Sequence, residues 1–371
     1  MRIMVTGANG FVGKNLLQHL AERIDVEVVT FTRDDNPSTL KFLLDGVDFV
    51  FHLAGVNRPG DESDFAKDNN VLTQYLCDAI LDTGRHIPVV FTSSIQAALI
   101  NPYGLSKLAA ENILLSLRLA RGMSVHLFRL PNVFGKWCMP NYNSVVATFC
   151  YNIAHGLPIQ INNPSAVLDL IYVDDLVDRF IQLMDGADTK VDQDGFEIIL
   201  PQYTTTVGDL ARQIEVFKQS RSTLMTERVG AGLMRALYST YLSYLPVRAF
   251  SYTLPICSDE RGVFVEILKT PDCGQFSYFT AYPGITRGGH YHHSKTEKFL
   301  VVKGRARFNF RHIITNETYE FVTSVEKGEV VETIPGWTHD ITNIGDDVMI
   351  VMLWANEVFD HLKPDTYAKV S

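Results

Sequence analysis

The stretch Ile3-Met4-Val5-Thr6-Gly7-Ala8-Asn9-Gly10-Phe11-Val12-Gly13 constrains this chain more than any other. A short apolar run ends in glycines, and an apolar-periodic pattern (Phe11, Val12, Leu16, Leu17, Leu20) starts among them. That order predicts a buried strand, a tight turn and a helix N-terminus. The turn needs residues without a Cβ, so that an anion can approach the backbone closely. The free N–H groups of the first helical turn then point at the anion. The expected product is the pyrophosphate cradle of a dinucleotide-binding unit, with Gly7, Asn9, Gly10, Phe11, Val12 and Gly13 as candidate contacts.

The pattern continues as alternating strands and helices. Residues 26–31 read as a second strand ending at Thr32-Arg33-Asp34-Asp35. This lies about twenty residues beyond the glycine turn, where such a fold meets the adenosine ribose. An acid at the strand tip would favour NAD. Arg33 stands there instead, and a guanidinium suits a 2′-phosphate, so NADPH is expected. Residues 47–52 form a third strand, and its small apolar exit Leu53-Ala54-Gly55-Val56 lets a cofactor lie against the backbone. Leu53 and Ala54 are candidate contacts. A helix over 63–83 and a strand over 88–92 follow. Alternation of this kind implies a doubly wound parallel sheet.

The fourth strand ends in Ser93-Ser94, and Tyr103-Gly104-Leu105-Ser106-Lys107 opens a long helix running to about 121. Tyrosine and lysine at i and i+4 share one helical face. A nearby ammonium stabilises the ionised phenol, so the Tyr103 pKa is expected to fall. Such a tyrosine can pass a proton to an oxyanion as hydride arrives at carbon. Ser94 could hold the same oxygen.

With these pieces the chain resembles the extended branch of the short-chain dehydrogenase/reductase superfamily that acts on nucleotide sugars. The resemblance rests on the glycine stretch, His52-Leu53-Ala54-Gly55, Ser93-Ser94, Tyr103 with Lys107, Arg129-Leu130-Pro131-Asn132-Val133-Phe134-Gly135 and Tyr172-Val173-Asp174-Asp175. It implies Ser94, Tyr103 and Lys107 as catalytic residues. It places Asn70 beneath the cofactor and Asn132 against the sugar or its diphosphate. Lys136 is a further candidate phosphate contact. The connection from Ser94 to Tyr103 is shorter than the family usually has. Helices over 143–155 and 174–185, a strand over 167–172, and a helix from 207 capped by Thr205 or Thr206 should build a small nucleotide-sugar lobe.

An aromatic, helical segment over 238–244 ends at Pro246, and the pattern then changes. Short period-two runs at 263–268, 275–282, 298–302, 306–312, 318–322, 329–334 and 348–354 are separated by turn signals such as Pro283-Gly284 and Lys327-Gly328. These predict an all-β barrel. The fold class is therefore α/β of Rossmann type over 1–246, followed by a β domain over 252–371. In the β domain His290 and His292 lie two apart on a strand, Glu297 opens the next strand, and His339 sits in a turn after Pro335-Gly336-Trp337-Thr338. Three imidazoles and a carboxylate suit Zn, Fe, Mn or Ni. Gly284-x5-His290-x-His292-x4-Glu297-x6-Gly304 and Gly336-x2-His339-x3-Asn343 resemble the two cupin motifs, which implies His290, His292, Glu297 and His339 as metal ligands, with zinc favoured.

The 371 residues carry a net charge of −9 with no basic run, which argues against nucleic acid or an anionic membrane as partner. The five cysteines are widely spaced without C-x-x-C, and the first strand leaves no room for a signal peptide, so a cytoplasmic setting is expected. A reductase of this branch joined to a cupin resembles the capsule and O-antigen enzymes of UDP-N-acetyl-L-fucosamine synthesis. The resemblance implies a homodimer acting on a UDP-4-keto-6-deoxy-HexNAc. The cupin would invert C3, and the first domain would reduce the C4 ketone with NADPH to the 2-acetamido-2,6-dideoxy-L-talose product. The competing reading makes the barrel a binding or dimerisation module beside a simple 4-ketoreductase.

Overall fold

The computed structural model describes the chain except residues 57–69, 260–261, 266–267, 269, 271–274, 358–361 and 370–371; side chains at 121, 256–259, 262–265 and 275–277 are also left aside. The start of the expected helix 63–83, part of the strand 263–268, and Cys273 lie outside the described residues. Two compact units are present: Met1–Val133 with Asp169–Thr204, and Phe134–Leu168 with Thr205–Ser371. Among the described residues no helix is long and apolar enough to cross a membrane.

In the first unit β1 (Arg2–Thr6), β2 (Glu27–Phe31), β3 (Phe49–His52), β4 (Val89–Ser94) and β5 (Val125–Leu130) form one sheet in the order β2-β1-β3-β4-β5. Every pairing in it is parallel. Ile3, Met4, Val5, Val50, Val89 and Val90 are fully buried, as expected for strands covered on both faces. The order reverses at β1 and β3, so a ligand crevice is expected beyond their carboxyl ends. The helix Pro102–Arg121 starts there for local reasons. The Asn101 side chain accepts the Gly104 N–H at 2.8 Å, and Pro102 supplies a preset φ at the first turn. Short strands β6 (Asn132–Phe134), β7 (Val167–Tyr172) and β8 (Tyr203–Thr206) pair side by side, and the chain passes between the units along them.

The second unit is antiparallel. After β9 (Ser251–Thr253) come the hairpin β10 (Ile256–Asp259) and β11 (Gly262–Val265), then β12 (Gln275–Ala281), β13 (Thr286–Tyr291), β14 (Glu297–Lys303), β15 (Arg305–His312), β16 (Thr318–Ser324), β17 (Glu329–Glu332), β18 (Trp337–Asn343), β19 (Met349–Ala355) and β20 (Tyr367–Ala368). They assemble into two five-stranded sheets, β12-β19-β14-β17-β9 and β16-β15-β18-β13-β20. The helices Val145–His155, Val207–Thr223 and Gly232–Ser243 group with these sheets, although the sequence assigned them to the first domain. Thr206 is the cap of the second of these, accepting the Asp209 N–H at 3.1 Å.

A buried ion cluster ties one of these helices to the sheets. Glu332, 1% exposed on β17, is bonded by Lys298 of β14 and by Arg221 of the helix Val207–Thr223. Lys298 also donates to the Tyr252 hydroxyl at 3.2 Å. Burial alone would raise the Glu332 pKa, but the two cations outweigh it and hold the carboxyl below its usual range. Removing one member leaves buried charge uncompensated. Glu332→Ala should therefore cost about 3–5 kcal/mol in denaturant unfolding, and a cost under about 1 kcal/mol would show the cluster to be incidental.

Candidate active site and metal centre

The glycine turn takes the expected form. Gly7 has φ 71°, and a Cβ there would lie 2.6 Å from the Ala54 nitrogen. A Cβ on Gly13 would lie 2.3 Å from the Gly7 oxygen, so Gly13 lets the helix Phe11–Ala21 pack onto the turn. Gly10 and Asn9 are exposed at the mouth, and Phe11 and Val12 are half-buried beside it. Leu53 and Ala54, also half-buried, leave β3 alongside: the Leu53 N–H donates to the Thr6 carbonyl at 3.2 Å and the Ala54 N–H to Thr6 Oγ1 at 3.3 Å. The cradle therefore fits a dinucleotide phosphate.

Sequence reading missed the part that ties this mouth together. His52 bridges Thr6 Oγ1 (2.7 Å from Nδ1) and Thr73 Oγ1 (2.8 Å from Nε2). Burial, with the Lys107 charge nearby, pushes its pKa down to about 3, so the ring is a neutral spacer between β1, β3 and the helix Leu72–Asp82. Asn70 lies just before that helix and is partly buried.

At the tip of β2 the Asp35 carboxylate accepts the Thr32 N–H at 2.7 Å and the Thr32 hydroxyl at 2.9 Å. The acid is thus turned into its own loop. Arg33 is exposed, and among the described residues no ion pair engages it. If Arg33 meets a 2′-phosphate, Arg33→Ala should weaken NADPH binding roughly ten- to hundredfold, about 1.5–3 kcal/mol, and leave NADH unchanged. Equal weakening of both, measured by fluorescence titration, would assign Arg33 to folding.

Ser94, Tyr103 and Lys107 come together at the end of β4. Tyr103 is half-buried and hydrogen-bonded to Ser94, whose Oγ also accepts the Gln96 N–H at 3.2 Å. Lys107 is 5% exposed, donates to the Thr92 carbonyl at 2.9 Å, and lies 6.0 Å from the Tyr103 ring centroid. The expected fall in the Tyr103 pKa is not what this site shows. Burial raises it, and the Ser94 bond only moderates the rise. Burial also pushes Lys107 down to about 8. Beneath them Ser93 donates to Glu111 at 2.5 Å, and Arg129 grips the same carboxylate at 3.0 and 2.7 Å.

The short Ser94–Tyr103 connection is filled by a 3-10 turn, Ile95–Ala98, pressed against the helix start. A Cβ on Gly104 would lie 2.1 Å from the Gln96 oxygen. Asn132 is exposed in the first unit, its Nδ2 3.3 Å from the Asp169 carbonyl. Lys136 departs from expectation: it is 1% exposed in the second unit, its ammonium 5.2 Å from the Trp137 ring centroid. Buried this far, it offers no open contact to a diphosphate.

The second unit gathers His290, His292, Glu297 and His339, with ligand atoms all within 4.8 Å of one another. Their placement corrects one expectation. His339 lies within β18 and faces His290 across a strand pair, not in a turn. The pair is brought level by a bulge at Gly288-Gly289, where two residues on β13 oppose one on β18. Gly288 has φ 105°, and a Cβ on it would lie 2.8 Å from the His339 oxygen. These adjacent glycines were the sequence signal for the bulge. The ring centroids lie 4.6 to 5.2 Å apart. Glu297 Oε2 is 3.2 Å from His292 Nε2 and 3.6 Å from His339 Nε2.

Burial opposes ionisation of Glu297, but His292 and His339 outweigh it and hold the carboxyl well below its usual range. Burial pushes His290 down to about 4 and also lowers His339. Among the described residues both ring nitrogens of His339 are buried without a hydrogen-bond partner, Nε2 lying 3.6 Å from Glu297 Oε2. Three imidazoles and a carboxylate whose ligand atoms converge this closely are a mixed nitrogen and oxygen set that suits a cation, so the residues fit a metal.

The model of the NAD dependent epimerase/dehydratase family matches residues 3–198, more than half of the chain. The chain belongs to that family. Residues 257–367 match a polysaccharide biosynthesis C-terminal domain. A UDP-2-acetamido-2,6-beta-L-arabino-hexul-4-ose reductase of Pseudomonas aeruginosa is 60% identical over 368 residues, 99% of this chain and 98% of that protein. The crystal structure of the capsular polysaccharide assembling protein CapF of Staphylococcus aureus is matched over 100% of both chains, at 42% identity and a TM-score of 0.69. A structure of CapF with the inhibitor 3-isopropenyl-tropolone is matched over 100% of both chains, at 39% identity and a TM-score of 0.63. The chain is a nicotinamide-dependent oxidoreductase.

Proposed function

We propose that the chain is a two-step nucleotide-sugar enzyme. The dinucleotide unit reduces the C4 ketone of a UDP-2-acetamido-2,6-dideoxy-4-hexulose, and the β unit, a cupin, inverts C3 to give the L-talose product. The quartet His290, His292, Glu297 and His339 carries this reading, because ketone reduction by itself requires no buried cation site. The first unit is supported as the reductase by the whole-length similarity to the Pseudomonas aeruginosa enzyme.

NADPH, favoured by Arg33, would lie on the cradle from Gly7 to Gly13 and supply hydride to C4. Tyr103 donates its proton to O4 as charge develops there. Burial keeps that proton on the phenol at neutral pH, which is the state a donor needs. Ser94 orients the hydroxyl. The Lys107 charge, fixed by Thr92, favours the phenolate left behind. Asn132 remains the proposed sugar contact.

His290, His292, Glu297 and His339 would hold one divalent cation, zinc being favoured since no redox change is required. Such a cation supplies Lewis-acid polarisation of the keto oxygen, worth several kcal/mol. Phe299, 6.1 Å from the His339 ring, and Phe308 beyond it form an apolar floor that limits water. A tropolone bears adjacent oxygens suited to chelating a cation, so the inhibitor in that CapF structure accords with a metal centre. The reading places the enzyme in the cytoplasm as a homodimer. The direct test supplies NADPH and the 4-keto product of a UDP-GlcNAc 4,6-dehydratase and identifies the product by NMR. A C3-inverted, C4-reduced sugar is expected, while reduction with C3 retained would make the β unit a binding module.

A further inference from the structure

The quartet is completed by a stretch of chain that no motif marks. Residues 364–369 run back along the edge of the second sheet. There β20 pairs with β13, setting Ala368 opposite His290 and Tyr367 opposite Tyr291. The Lys369 N–H donates to the Gly289 carbonyl at 2.9 Å, at the bulge that aims His290.

Asp365 makes the contacts that matter. Its backbone carbonyl is hydrogen-bonded to His292 Nδ1. A carbonyl only accepts, so Nδ1 carries a proton, and Nε2, 3.2 Å from Glu297 Oε2, is the ring nitrogen turned to the quartet. Its carboxylate accepts three successive backbone N–H groups, from His293 at 2.8 Å, Ser294 at 2.7 Å and Lys295 at 2.6 Å, and the Ser294 hydroxyl at 3.0 Å. Those residues are the turn between His292 and Glu297. At its far end Lys295 Nζ lies 2.7 Å from Glu297 Oε1, which leaves Oε2 facing the imidazoles. Arg235, from the helix Gly232–Ser243, braces the cluster. It donates to Ser294 Oγ, and lies 3.3 Å from Glu357 and 3.8 Å from Asp365.

We propose that Asp365 is the positioning residue of the metal centre: through it the C-terminal strap fixes the His292 tautomer, the turn to Glu297, and with them the affinity and geometry of the site. The proposal rests on the reading of the quartet as a metal site. Outer partners of metal ligands typically control affinity by 10- to 100-fold.

The test uses the full chain with zinc and cobalt as probes. Wild type, Asp365→Ala and Asp365→Asn are titrated with zinc against a chelator, and the visible spectra of their cobalt forms are compared. Thermal melts of the metal-free proteins report folding. The expected result is zinc binding weakened roughly 10- to 100-fold in Asp365→Ala, less in Asp365→Asn, with a changed cobalt spectrum in both. If the alanine variant fails to fold, the asparagine variant, which keeps size and one acceptor, decides. Wild-type zinc affinity and an unchanged cobalt spectrum in the folded variants would overturn the proposal while the metal reading stands, even if the melts shift. A wild type that takes up no metal would overturn the metal reading and the strap's role with it.

Discussion

Tyr103→Phe should lower the rate of NADPH oxidation about 10²–10⁴-fold, the usual contribution of a positioned proton donor. Cofactor affinity should change little, because the cradle lies on β1, β3 and the helix after them. The pH profile carries a second signature. The phenol pKa is raised by burial, so the donor stays protonated through neutrality. Lys107 is held at about 8 by the same burial, so its ammonium is present below that pH and lost above it. Reduction by the wild type should therefore be level from about pH 6 to 7.5 and decline on the alkaline side. Lys107→Met should flatten that decline at a lower plateau. Near-normal turnover in Tyr103→Phe would remove Tyr103 from the mechanism.

His290→Ala should behave in the opposite way. It removes one of four converging ligands, and the several kcal/mol of stabilisation that depends on a bound cation goes with it. Exchange of the C3 proton should fall at least about 100-fold. The same protein should still reduce a 4-keto sugar whose C3 is already inverted, since Ser94, Tyr103 and Lys107 belong to the other compact unit. Parallel loss of both activities, in a variant whose melt is unchanged, would show that the steps are not separable.

Much of this was legible in the sequence, for identifiable reasons. The parallel sheet declared itself because strands buried on both faces are continuous apolar runs punctuated by glycine. The quartet was legible because each ligand keeps a short spacing within its own strand or turn. What escaped came from pairings distant in sequence. The placement of His339 in β18 depends on the Gly288-Gly289 bulge and on a partner strand about fifty residues away. The tie of the helix Val207–Thr223 to the β sheets includes one buried carboxylate, Glu332, which looks like any other glutamate in a period-two strand. The Tyr103 pKa was misjudged because helical spacing brings Lys107 to the same face but says nothing of the burial that raises it.

The division of labour between the two units is tested most directly by solvent deuterium. The 4-keto sugar nucleotide is incubated in deuterated water without NADPH, once with metal-loaded and once with metal-stripped full-length protein, and C3 is read by NMR. Deuterium at C3 with the loaded protein, its absence with the stripped one, and recovery on adding zinc are expected. Exchange that persists undiminished after the metal is removed would contradict the account.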